Sequence, residues 1–191
     1  MPDASAAQEP AQQPVREFVR DCVRSGLLDG EELRAECVAA VRAELPGLDA
    51  DTVARSWIAE FREELRRDQD AWPEVTDFDR LQEAFADLRG RGVIVLQGCE
   101  DHWAAKSALD QHAGAHGGPA RGIAWFTPPD VWHAIDAGML EVNLWHGNTA
   151  NAAPGDALLD EVVGVFEAHG LPAHFDEGRI EVSAYWQRRL A

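Results

Sequence analysis

The chain has 191 residues, 46% of them hydrophobic, enough to bury about 70% of its unfolded surface in one core or a core with a satellite. Acidic residues outnumber basic ones 34 to 17, and both halves carry the excess. The net charge of −17 excludes the phosphate-neutralising surface of a nucleic-acid binder and sets the chain against anionic membranes.

In chain order, the opening 14 residues lack the basic and apolar regions of a signal peptide and read as a disordered tail. Val15, Phe18, Val19, Cys22 and Val23 trace one face of a first helix, started at Pro14 and stopped at Gly26. Asp29-Gly30-Glu31-Glu32 reads as an acidic capping box for a second, with Leu33, Cys37, Val38, Val41 and Leu45 inward. A third begins near Asp51 and buries Val53, Trp57, Ile58, Phe61 and Leu65, while Glu63-Glu64-Arg66-Arg67 forms a solvated charged face. Trp72-Pro73 breaks the helical periodicity. The expected organisation is therefore a three-helix segment over residues 15–71 and a second domain over residues 72–191.

Thr76 opens the second domain as a helix cap, with Phe78, Leu81, Phe85 and Leu88 as its apolar stripe. Residues 93–96 form a short strand buried on both faces. A helix over residues 101–113, a strand over 122–126, and a helix begun by Thr127-Pro128-Pro129-Asp130 follow. Leu140, Val142, Leu144 and His146 alternate with Glu141, Asn143 and Trp145 as a half-buried strand. Leu158, Leu159, Val162, Val163 and Phe166 mark one more helix, and Asp176-Glu177-Gly178 joins two last strands in a hairpin. The fold class is α+β: a helical N-terminal preface followed by a mixed five-stranded sheet packed with helices.

The run Trp72-Pro73-x-Val75-Thr76-Asp77-x-Asp79-Arg80-Leu81, with Ala84-Phe85 and Gly92-Val93-Ile94-x-Leu96-Gln97, resembles a bacterial family catalogued as domain of unknown function 6891. Gly26-Leu27-Leu28-Asp29 matches the turn that leads the family's helical preface, and the resemblance is strongest over residues 15–97. Beyond that point Gly98-Cys99-Glu100-Asp101 stands where the family has Asn-Ala-Gly-Tyr, and Phe126-Thr127 stands in place of an aromatic-His pair. The resemblance implies a fold and a bacterial source, and it implies no activity.

Three groups could carry chemistry. Cys99 lies between the first strand and a helix start, where the helix dipole would lower a thiol pKa; His146 or His102 could serve as its base if the strands are parallel and adjacent. His112 and His116 have the i, i+4 spacing of a metal-binding helix, though Gly114 and Gly117 weaken it, so no metal is assigned. Trp145 and Tyr185 alternate opposite the apolar set and could anchor a partner on one sheet face. Neither Walker nor dinucleotide glycine spacing occurs, so no cofactor is expected.

Three cysteines give no disulfide framework, and no apolar run nears the ~20 residues of a transmembrane helix, so a cytoplasmic location is expected. The leading expectation is a non-enzymatic binding or regulatory module with an unknown protein or small-molecule partner. The alternatives are a small cysteine-dependent enzyme using Cys99 with His146 or His102, and an acidic inhibitor of a basic protein.

Overall fold

The computed structural model describes residues 4–190, with side chains from residue 12 onward. The chain divides into two compact units: Met1–Trp72 together with Arg188–Ala191, and Pro73–Gln187. The return of the last residues to the first unit differs from the expected 72–191 domain. Nothing in the local pattern of Arg188-Arg189-Leu190 marks it.

The first unit is helical: α1 (Ala4–Ser25), α2 (Gly30–Glu44) and α3 (Ala50–Gln69). Helix α1 starts well before Pro14, so residues 4–14 are helical where a disordered tail was expected; residues 1–3 lie outside the described residues. Ala, Gln and Glu dominate that stretch, and their helix propensity offsets two prolines that each remove one backbone hydrogen bond. Val19, Cys37, Val41, Ala54 and Leu65 are buried where the three helices meet. Above that core, the Arg16 guanidinium lies 5.1 Å from the Phe61 ring centroid and pairs with Glu60.

The ends of α2 and α3 depart from expectation by small shifts with physical causes. Helix α3 is capped by Asp49, whose carboxylate accepts from the Thr52 amide at 3.2 Å, not begun by Asp51. Asp29 occupies the N-cap position of α2 but makes no side-chain cap bond. Gly30, with φ +48, starts that helix in the left-handed region, and this turns the Asp29 carboxylate away from the amides it would cap.

In the second unit, α4 (Asp77–Gly90) begins with a complete capping box. Asp79 donates its amide to Thr76 Oγ1 at 3.3 Å, and Thr76 donates its amide to Asp79 Oδ2 at 2.8 Å. There follow β1 (Val93–Leu96), α5 (His102–His116), β2 (Gly122–Trp125), α6 (Pro128–Ala137), β3 (Met139–His146), α7 (Ala157–Ala168), β4 (Ala173–Asp176) and β5 (Arg179–Ser183). The sheet is mixed, in the order β1-β2-β3-β5-β4: β1 and β2 run parallel, and the other neighbouring pairs are antiparallel. The α+β class is as expected. The β4–β5 hairpin turns through Glu177 (φ +42) and Gly178 (φ +91), a two-residue loop of positive φ whose twist matches the right-handed twist of the strands.

Register sorts the side chains between the two faces. Leu140, Val142 and Leu144 of β3 are buried, as are Ile180 and Val182 opposite them on β5. On this side α4 and α7 meet, where the Phe85 ring packs against Phe126 at 5.7 Å and Phe166 at 6.0 Å. Helix α5 covers a second, smaller cluster of Ile94, Leu96, Ile123, Trp125 and Trp145. It packs mainly on β1 and β2, and farther along that face β3 carries the polar Glu141 and Asn143, both half-buried.

Candidate functional site

Gly98, at φ +62, turns the chain out of β1, and the Cys99 amide then donates to the Phe126 carbonyl at 3.0 Å, adding a rung beyond the parallel pair. The thiol is packed inward, 7% exposed, and donates to the Asp101 carbonyl at 3.7 Å. Burial pushes it above the ordinary thiol value, and the negative charges of Asp101 and Asp130 add to the shift. The helix dipole expected to lower it is occupied elsewhere: Asp101 caps α5, its carboxylate accepting from the Trp103 amide at 2.8 Å and the Ala104 amide at 3.0 Å.

The histidines proposed as bases do not join it. His102 is exposed, its ring tilted against that of Trp103 at 4.8 Å. His146 pairs in register with Gly122, at the opposite end of β2 from Phe126, because β3 runs antiparallel to β2. Four residue steps separate those levels, about 13 Å. His146 instead donates from Nε2 to Asp156 Oδ2 at 2.9 Å, and that oxygen also accepts from the Ala153 amide at 2.8 Å. The pair ties the loop after β3 to the start of α7. Sequence reading missed Asp156; the signal was an acid immediately before the apolar helix at Leu158.

Cys22 and Cys37 are buried in the helical core, and the Cys22 thiol is raised by its hydrogen bond with Cys37 first and by burial second. Iodoacetamide at pH 7.5 should therefore label all three cysteines of the folded protein far more slowly than those of the urea-unfolded chain. Fast labelling of Cys99 alone would restore it as a nucleophile. The Asp156 carboxyl is held below its ordinary value, by the His146 hydrogen bond first and the Ala153 amide second. Its contribution to stability is then complete above the ordinary carboxylate pKa and is lost as pH falls through the lowered one. The melting temperatures of the parent and Asp156→Asn should differ at pH 7 and converge in acid; a constant gap would contradict the pairing.

The remaining candidates are dispersed. His112 and His116 stack at 4.2 Å, and His116 Nδ1 donates to the His112 carbonyl at 3.1 Å, so the His116 ring caps the end of its own helix. Among the described residues no group of three or more His, Cys, Asp or Glu could hold a metal. Trp145 packs edge-on against Trp125 at 5.1 Å within the α5 cluster. Tyr185, 49% exposed, lies over Gly138, next to the other end of β3, and its amide donates to Asp77 Oδ2 at 3.2 Å. The two aromatics therefore do not form one patch, because β3 carries Trp145 and Gly138 apart by seven residues.

The feature that sequence reading missed lies in the helical unit. A cavity of about 350 Å³ opens there, rimmed by Arg24, Arg62, Arg66, Arg188 and Arg189, with one acid, Asp29, on its lining. Val23, Leu28, Leu33, Leu65 and Leu190 form its apolar wall. Arg24 pairs with Asp68, and Arg66 with Glu63 at 3.1 Å. Arg188 donates to the Gly26 carbonyl, a neutral partner. Among the described residues no carboxylate pairs with Arg62 or Arg188. A second hollow of about 270 Å³, with Arg34 and Arg55 on its lining, shares Leu33 and Arg62 with the first. In a chain of net charge −17, this is a local reversal of sign. The signal was legible in part: Arg62 and Arg66 are one helical turn apart and flank Leu65.

Gly26 shapes one side. Its φ is +58, and a Cβ there would stand 2.7 Å from Arg188 Nη1, so only glycine lets that guanidinium rest on the turn after α1.

Among known proteins, one family model, described as Domain of unknown function (DUF6891), matches residues 8–190. The match reaches well past residue 97, through the segments where the motifs diverge. No curated protein and no solved structure matches the chain.

Proposed function

The chain belongs to the DUF6891 family, and we propose that it is a non-enzymatic binding module whose ligand is a small anion held in the arginine-rimmed cavity of the helical unit. The observation that carries this reading is that Arg62 and Arg188 line the cavity and pair with no carboxylate among the described residues. Guanidinium is planar, always charged and weakly hydrated, so it suits oxyanion capture in a partly enclosed site. A cavity of this volume lies in the range that small molecules occupy.

The sheet unit supports a binding role by contrast. Its thiol is buried and raised, its histidines are apart, and its strongest polar pair serves a loop. Among the described residues no helix is long and apolar enough to cross a membrane. All three cysteines are free, which favours a reducing compartment, and we place the protein in the cytoplasm.

Thermal melting in a panel of small carboxylates and phosphates at fixed ionic strength tests the reading. A ligand at a hundred times its Kd stabilises the bound unit by about 2.7 kcal/mol, a rise of several degrees. The rise should be present in the parent and absent in Arg62→Gln. No shift with any anion, or an equal shift in the variant, would overturn it.

A further inference from the structure

We infer that the ligand of this cavity is an amphipathic monoanion: a carboxylate carried on a short aliphatic body. This rests on the anion-binding reading above and adds the chemical class. Of the five rim arginines, Arg24 and Arg66 already face Asp68 and Glu63 and Arg189 is engaged as well, which leaves Arg62 and Arg188 uncompensated and Asp29 on the same lining. Two cations opposed by one acid suit a ligand of charge −1, and the Asp29 carboxylate penalises a dianion in the same space.

Leu33 and Leu65 on the lining are buried already, so the apolar wall left to cover is that of the half-buried Leu28 and Leu190. A bare inorganic oxyanion would leave that wall against water. An aliphatic tail covers it, and each methylene that reaches it should raise affinity about fourfold. At Arg188, Nη1 donates to the Gly26 carbonyl and fixes the guanidinium plane, while the remaining N–H groups stay available for a carboxylate.

Isothermal titration calorimetry of the full chain with butyrate, hexanoate, octanoate, 1-hexanol and inorganic phosphate distinguishes the levels of this claim. Affinity should climb along the carboxylate series, with 1-hexanol and phosphate at least tenfold weaker than octanoate. Arg62→Gln and Arg188→Gln should each weaken octanoate at least tenfold. Arg62→Lys, which keeps the charge without the fork, should fall between, so the test survives if Arg188→Gln does not fold. Phosphate binding as tightly as octanoate, still dependent on Arg62, would overturn the amphipathic class and leave the anion site standing. Octanoate binding that ignores Arg62, or no binding by any of the five compounds, would overturn both.

Discussion

Replacing Phe85 by alanine should destabilise the sheet unit by about 3 to 5 kcal/mol, measured as the shift of its urea unfolding free energy. The ring is fully buried on α4 and is the common neighbour of Phe126 after β2 and Phe166 on α7. Removing it takes the shared contact away from both other rings and leaves a void that α4 and α7 close only in part. Phe85→Leu, which keeps much of the volume, should cost well under half as much. A loss below about 1 kcal/mol for the alanine variant would mean that α4 and α7 do not depend on this ring.

Gly147→Ala should be as damaging although it adds a single methyl group. The new Cβ would lie 2.0 Å from the Ala120 carbonyl oxygen and 3.1 Å from its carbon, and a backbone carbonyl cannot swing aside as a long side chain would. The chains are held this close by the Gly147 amide, which donates to the Arg121 carbonyl at 3.2 Å. Overpacking at this contact together with loss of that bond should cost about 3 kcal/mol. Gly164→Ala provides the internal contrast. Gly164 is exposed within α7, and a Cβ there meets nothing within 4 Å, so alanine should stabilise by about 0.5 to 1 kcal/mol. Equal effects at the two glycines would refute the steric account.

These positions show how far sequence reasoning reaches in this chain. Thr76 with Asp79, Thr127 with Asp130, and the alternating β3 were legible because each depends on residues within a few positions of one another. The start of α1 was not, since Pro10 and Pro14 are strong local breakers and only the whole segment's propensity outweighs them. The Cys99–His146 pairing failed for a related reason. Local periodicity marks β1, β2 and β3 as strands but carries no sign of direction, and the antiparallel β2–β3 pair sends the histidine to the far end. The cavity was least legible of all. It needs Gly26, Arg62 and Arg188 together, and nothing near Arg188 in the sequence points to a turn more than a hundred residues earlier. Asp29 was read in part: it takes the expected N-cap position of α2 but makes no side-chain cap bond, and it lies on the cavity lining.

The division of the chain also sets an order of events during synthesis. Helices α1 to α3 leave the ribosome first, but Arg188, Arg189 and Leu190 of the same unit follow only after the whole of Pro73–Gln187 has been made. At bacterial or eukaryotic elongation rates that delay is on the order of ten seconds, long compared with the folding of a small helical unit. The newborn helices therefore wait with one side of the cavity missing and Leu28, Leu33 and Leu65 less covered than they will be. The sheet unit has time to fold before that wall closes, and binding competence comes only after its last strand has been made.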